Sequence, residues 1–578
     1  MTHVRFSIVL RTDAGGRVLN TVGNILPEPF QPAAYDALML LLTGAMIWTG
    51  RGEVLSPGTV GIESGDIVAV EPGSAPHLRA RADEVIDLPG STLLPGFQDA
   101  HVHPTHGGLR RSGCDLTDAA ADAAGYAAAV AAYARRNPER AWITGGGWRM
   151  PHFPDGLPRS ETLDAVVPDR PVFLVNADGH GAWANGRALA IAGVTATTPD
   201  PVDGRIERDP GGLPTGALHE GAMDLVARHV PPPSSDDLVT AIDVAQRHLH
   251  GLGITAWTDA WVVPEGLAAY QAVSDAGRLT ARVAAALWWD RHRGLEQIDD
   301  LVAQRAATGG DRLTAATVKI MQDGVVENGT AAMLDPYLDM SGEPSAGRGL
   351  SYVPPDVLNA AVTRLDALGF GVHVHAIGDR AVREALDAFA AARRANGLSR
   401  RRHTIAHVQV VHPDDIPRFA ALDVVVNAQP LWAQHEPQMT ELTLPVLGPQ
   451  RSGWQYPWAT LLRSGAPLAF GSDWPVSSPD PLQGIAVAVD RRGPDTPDGA
   501  GPFLPQERLT LDQALAAATR GSAYLHHLDR TGAVAAGMAA DLAVVDAPLF
   551  GHGARSPAEA RVVLTMVDGQ AVHRATGV

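Results

Sequence analysis

The chain has 578 residues, 45% hydrophobic and 19% charged, which is ordinary globular usage and excludes a small peptide module or a generally disordered protein. Its 46 basic and 64 acidic residues leave a net charge of −18, which disfavours a nucleic-acid or anionic-membrane surface, because phosphate binding needs a basic face. A single cysteine, Cys114, excludes an intrachain disulfide and a cysteine-based zinc site and fits a reducing, cytoplasmic setting.

Residues 1–37 lack periodicity and carry Pro27, Pro29 and Pro32; they read as a disordered tail or a misassigned start. Their apolar run, Ile8-Val9-Leu10, is too short for a signal segment, and no stretch of the chain approaches the roughly 20 apolar residues of a membrane span. Met39 to Ala45 then reads as an opening strand, and Val60 to Val70, turned at Gly65-Asp66, as a hairpin. Gly532 to Val545 and Ala560 to Val572, punctuated by Gly537 and Asp568-Gly569, show the same pattern. A small β-sandwich built from both chain ends, 38–91 and 530–578, is therefore expected.

Between the ends, apolar strand-like runs alternate with Ala/Leu-rich helical segments. The strands are placed at Thr92 to His103, Ile254 to Asp259, Ala281 to Trp289, Ala316 to Gln322, Phe370 to Ala376, His403 to Gln409, Asp423 to Gln429 and Pro467 to Asp473. Eight of them predict an α/β fold, a (β/α)8 TIM-like barrel over 92–529. The gap from Pro104 to about Ser235 is too long for one βα connection and holds two further strands, Ala141 to Trp148 and Pro171 to Asn176. Residues 104–235 thus read as an inserted subdomain after barrel strand 1, over the barrel mouth.

Asp99-Ala100-His101-Val102-His103 ends the first barrel strand. Residues two apart on a strand share a face, so both imidazoles can reach one cation. Among 22 histidines such a pair arises easily by chance. The feature recurs, however: His375 ends strand five, His407 lies on strand six, Asp473 closes strand eight and Lys319 lies on strand four. The C-terminal ends of parallel strands are where barrel active sites form, so these side chains read as one ligand cluster.

Lys319 is the only lysine among the 46 basic residues, which marks a position where guanidinium fails. A free ammonium is repelled by metal ions, but an amine carboxylated by carbon dioxide becomes an anionic carbamate able to bridge two cations. Arginine cannot be converted in this way. A Schiff-base lysine in a lyase barrel is the competing reading, and it does not need the histidines and aspartate on the other strands.

Other residues carry two readings. His373 shares a face with His375 but lies deeper and reads as a hydrogen-bonded barrel histidine; His106 reads as a loop residue. His180, in Asn176-Ala177-Asp178-Gly179-His180, is either a substrate contact or a structural loop hydrogen bond. Glu220 is either a helix N-terminal carboxylate or a group that orients the pocket. Trp148, after Gly145-Gly146-Gly147, and Trp474, beside Asp473, read as aromatic pocket walls. The glycine run lacks the helix context of a phosphate loop, so no nucleotide is expected.

Taken together, Pro95-Gly96-Phe97 through His103, Lys319-Ile320-Met321-Gln322-Asp323-Gly324, His375-Ala376-Ile377-Gly378-Asp379-Arg380-Ala381, Gly471-Ser472-Asp473-Trp474-Pro475 and Gly537-Met538-Ala539-Ala540-Asp541-Leu542 resemble the amidohydrolase superfamily. The branch is the one that includes N-substituted formamide deformylases, and the likeness covers nearly everything from Leu40 to Val572. The resemblance implies His101 and His103 as ligands of one divalent metal, His375 and His407 as ligands of a second, Lys319 as the carboxylated bridge, and Asp473 as ligand and proton shuttle. All six positions carry the implied residue; the metal is taken as zinc, one or two ions. The implied activity is metal-dependent hydrolysis of a non-peptide carbon–nitrogen bond in a small-molecule amide, such as an N-substituted formamide. Cyclic amide or ester hydrolysis, deamination, and a catalytically silent scaffold stand as alternatives. No nucleic-acid or membrane partner is expected, and a homodimer is left open.

Overall fold

Each of the eight apolar runs contributes one barrel strand in the computed structural model, which describes residues 38–577 apart from 118, 340 and 495. They are β1 (Phe97–Val102), β2 (Ile254–Val262), β3 (Arg282–Trp288), β4 (Leu313–Met321), β5 (Gly371–Ala376), β6 (Thr404–His407), β7 (Val425–Ala428) and β8 (Leu468–Phe470). Neighbours pair in parallel and in chain order from β1 to β8. Strands of a parallel sheet are covered on both faces, and β5, all six residues buried, shows why such runs read as continuously apolar. The helix Asp379–Asn396 lays Val382, Ala385, Leu386 and Phe389 on the barrel at helical spacing.

No ladder joins β8 to β1 among the described residues; the seam is closed by other bonds. The Asp473 amide donates to the His101 carbonyl at 2.7 Å, the Ser472 amide to the Asp99 carboxylate at 2.9 Å, and the Asn427 side-chain amide to the Ala100 carbonyl at 2.8 Å. The parallel TIM-like barrel thus closes through the residues around Asp473.

The run Thr92 to His103, expected as one strand, is two. Thr92–Pro95 pairs antiparallel with Leu542–Val545, whereas β1 pairs with β2. The break falls at Gly96, where a Cβ would meet the Thr255 side chain at 2.4 Å. There the backbone approaches so closely that no side chain fits.

Strands from the two chain ends share one sheet, in the order Gln570–Arg574, Val562–Val567, Leu542–Val545, Thr92–Pro95, Met39–Trp48, Val54–Glu63, Asp66–Pro72, with Glu84–Asp87 also on Met39–Trp48. The expected sandwich is therefore one ladder curled around a core of Leu42, Ile47, Ile62, Ile67, Leu93, Leu542 and Leu564. Both hairpins turn through left-handed pairs, Ser64-Gly65 and Asp568-Gly569, as two-residue connections require. Arg282, at the start of β3, binds Asp541 at 2.7 Å, and Arg312, before β4, binds Asp568 at 2.7 Å, tying this sheet to the barrel. The tail expected over 1–37 lies outside the described residues.

The long insertion carries a six-stranded mixed sheet running from Cys114 to Glu220, and includes Ile143–Trp148 and Val172–Asn176 close to where the sequence places them. Helices Pro104–Ser112 and Ser235–His250 precede and follow it. They meet at Gly108, where a Cβ would lie 2.0 Å from the Ala241 carbonyl oxygen. Gly108→Ala should destabilise the fold by about 1–3 kcal/mol through overpacking. An unchanged denaturation midpoint would show that the helices separate freely. Among the described residues, no helix is long and apolar enough to cross a membrane.

Candidate metal centre

Strand β1 carries His101, and His103 stands one residue past its end, at the N-cap of helix Pro104–Ser112. Proline at the first helical position ends the strand and starts the helix. Both imidazoles converge on Asp473: Nε2 of His103 lies 2.9 Å and Nε2 of His101 3.2 Å from Asp473 Oδ1. Ligand atoms of the three residues all lie within 4.8 Å of one another. The rings of His101 and His407 are 4.8 Å apart and those of His407 and His375 4.5 Å, so β1, β5, β6 and the segment after β8 deliver four imidazoles and a carboxylate to one place. Asp473 and His407 have φ of 57° and 75°. Such left-handed backbone persists at non-glycine residues only where the surroundings hold it.

Lys319 on β4 is the register partner of Trp288 on β3 and of His373 on β5. Paired residues on neighbouring strands point to the same face, and Lys319 is buried there. Burial pushes its ammonium down to about 7. Burial, with Lys319 nearby, also holds His101 and His375 well below the usual imidazole range; at His407 burial and the neighbouring His375 do so. Those rings are neutral, the form that ligates. Burial opposes the charge on Asp473, but the His103 hydrogen bond and the electrostatic attraction of His103, with lesser contributions from His407 and Lys319, outweigh it and keep the carboxyl below its usual range.

Of the four Nδ1 atoms, those of His101 and His375 are pinned. His101 Nδ1 meets His373 Nε2 at 2.8 Å, which gives His373 the hydrogen-bonded role expected of it. His375 Nδ1 meets Asp323 Oδ1 at 3.1 Å. The Asp323 carboxylate in turn accepts amides from Ala332, Ile377 and Gly378 at 2.9–3.0 Å. Such partners fix the orientation of a ligating ring. Nδ1 of His103 and of His407 are buried with no hydrogen-bond partner, a costly state for isolated polar atoms. Neutral imidazoles, an anionic carboxylate and unsatisfied ring nitrogens together form a donor set that fits a divalent cation.

His180 lies beside this cluster, its ring 5.8 Å from that of His375, and its Nδ1 meets Glu220 Oε1 at 2.9 Å. Burial disfavours a charged His180, but the Glu220 carboxylate outweighs it and lifts the imidazole to about 9. Glu220 ends the strand Pro214–Glu220 rather than starting a helix, and the Thr330 hydroxyl donates to it at 3.1 Å. His106 belongs to helix Pro104–Ser112, not to a loop.

The two tryptophans read as pocket walls are not brought to the imidazoles. Trp148 packs on Phe153 and Trp183 in the core of the insertion, and its indole N–H donates to the Leu174 carbonyl. Its glycine neighbours serve close strand packing, since a Cβ at Gly146 would meet the Val175 carbonyl oxygen at 2.1 Å. Trp474 is buried against Gly107 and the ring of His248. Other indoles stand at the cluster instead. Trp432 stacks on His407 at 5.3 Å and 8°, and Trp261, near the end of β2, lies 6.3 Å from His103. Position at a strand end, the signal that found the histidines, also marks Trp261 and Trp288; ending strand two at Asp259 concealed the first.

The chain matches the model of the Amidohydrolase family over residues 84–573. Protein LONG AFTER FAR-RED 3 of Arabidopsis thaliana is 30% identical over 94% of this chain and 93% of its own length. N-substituted formamide deformylase of Arthrobacter pascens is 25% identical over 86% of this chain and 90% of its own. Among solved structures, an uncharacterized metal-dependent hydrolase from Pyrococcus furiosus is 26% identical with a TM-score of 0.68, covering 90% of this chain and 99% of that one.

Proposed function

The chain belongs to the amidohydrolase family, and from that premise we propose that it hydrolyses a non-peptide carbon–nitrogen bond in a small-molecule amide, an N-substituted formamide being the substrate to try first. The observation that carries this reading is the anionic Asp473 held between His101 and His103. A divalent metal, zinc in this proposal, supplies Lewis acidity when bound, which polarises a carbonyl and makes water nucleophilic near neutral pH. His101, His103, His375, His407 and Asp473 would hold one ion or two. Lys319, whose amine burial brings down to about 7, has near neutral pH a substantial share of the free amine that adds carbon dioxide, and its carbamate would bridge a pair of ions.

Asp473 Oδ1 accepts the proton of the attacking water and returns it to the departing amine nitrogen, a transfer worth about 10²- to 10⁴-fold. His180, kept cationic by Glu220, donates its remaining N–H to the substrate. The deformylase of Arthrobacter pascens and the Pyrococcus furiosus hydrolase support the reaction class. A cytoplasmic setting accords with the single cysteine.

Elemental analysis of freshly purified protein, run beside a panel of formamides and acyl amides, tests the proposal. Near two zinc equivalents with formamide turnover, lost on chelation and regained with zinc, is the expected result. About one equivalent would remove Lys319 from a bridging role. No metal and no hydrolysis after zinc is added would leave the silent scaffold.

A further inference from the structure

A ligating imidazole must be held in its plane, and the four rings of the metal centre are held in two ways. His101 and His375 are fixed through Nδ1, by His373 and Asp323, and His103 through Nε2, by Asp473. The ring of His407 is not fixed so: its Nδ1 is buried without a hydrogen-bond partner among the described residues. The Gln429 side chain accepts the His407 backbone amide at 2.9 Å, which secures the left-handed backbone there but leaves the imidazole free to turn about its bond to Cβ. Trp432 supplies the missing restraint from the ring face. The two rings are 5.3 Å apart and 8° from parallel, within the about 4.5–7 Å over which offset stacked rings attract. His101 and His375 meet the same imidazole steeply, at 67° and 63°.

Trp432 is itself well anchored. It ends the short turn Pro430–Trp432 that follows β7, where its amide donates to the Gln429 carbonyl at 3.3 Å and its carbonyl accepts the Gln434 amide at 2.9 Å. Its side chain packs on the barrel core and also on a cluster of Val325, Met333, Ile377 and Leu447, which joins the loops after β4, β5 and β7. Gln429, whose side chain holds the His407 amide, in turn donates to the Asn427 side chain on β7 at 3.0 Å. Both the backbone and the ring of His407 are therefore set by the segment that leaves β7.

We propose that Trp432 is the positioning residue of His407: its indole face takes the place of the hydrogen bond that orients the other ligand rings, so metal affinity depends on the segment after β7. The inference rests on the reading of His407 as a metal ligand. Groups that orient a ligating ring change metal affinity by about tenfold to hundredfold. Zinc titration against a chelator of known affinity should therefore show Trp432→Leu weakening at least one ion by that factor. Trp432→Phe, which also loses volume but keeps a flat face, should stay within about threefold of the wild-type protein. Thermal midpoints of the metal-free proteins report on the fold, and Trp432→Met replaces the leucine variant if that one does not fold. Zinc affinity unchanged in Trp432→Leu, or lowered equally by leucine and phenylalanine, overturns the proposal. Crystals of the metal-free proteins give a readout that needs neither metal nor turnover. There the His407 ring should turn from its wild-type orientation in Trp432→Leu and keep it in Trp432→Phe. A ring that turns in a protein that binds no zinc would uphold the positioning role while the metal reading fell; a ring unmoved in Trp432→Leu would overturn that role.

Discussion

Asp473→Asn should lower kcat by at least about 10³-fold on whichever amide the wild-type protein hydrolyses. The substitution keeps the size of the side chain but removes the charge and the ability to accept a proton. The carboxylate is buried, sits 2.9 Å and 3.2 Å from two imidazoles and is fixed by the amide bond from Asp473 to the His101 carbonyl that closes the barrel. That bond belongs to the backbone and survives the change, so the fold should too. Comparing kcat, bound metal and thermal midpoint separates lost chemistry from lost structure. Activity within tenfold of the wild-type value would remove Asp473 from the proton path.

Lys319→Arg is the second large effect: activity should fall to background although the formal charge is kept. A guanidinium remains protonated where the lysine amine falls to about 7, forms no carbamate, and would bring a permanent cation into a buried group of imidazoles. Bound metal should fall with it. Lys319→Ala should be equally inactive but partly rescued by a short carboxylic acid such as propionate, which restores an anion to the vacated space. Rescue by the acid together with inactivity of Lys319→Arg would identify a carboxylate-like group as what position 319 supplies. An Arg variant with near wild-type turnover would refute that role.

Much of the scaffold is legible in the sequence because its rules are local. Runs such as Gly371–Ala376 are apolar throughout because both sheet faces are covered, and the alternation of strands with helical segments then implies a parallel barrel. His101 and His103 stand out because residues two apart share a strand face, and Lys319 because no other lysine exists. What is illegible depends on contacts between distant segments. The break at Gly96 is set by Thr255, some 160 residues away along the chain. The curled single sheet is set by pairings between the chain ends, which a strand pattern does not specify. Adjacency to Asp473 says nothing of where the Trp474 ring points, and Gly107 decides it by leaving room for that ring. Asp323 appears in the sequence only as part of the Lys319 to Gly324 motif, and its three backbone donors and His375 come together only in the fold.

The pairing of Thr92–Pro95 with Leu542–Val545 has a consequence for the order in which the molecule is made. The Thr92 hydroxyl donates to the Ala547 carbonyl, 455 residues along the chain, and only Gly96 separates that strand from the one carrying His101. On the ribosome, the segment that aims the first two imidazoles emerges early, yet its ladder partner is synthesised after every barrel strand. Contacts of such separation slow folding, and chains built from the N-terminus outward leave them until last. A nascent chain that stops short of residue 542 holds the four imidazoles, Lys319 and Asp473 but lacks the strand that pairs with the approach to His101, so this part of the fold is completed only at the end of synthesis.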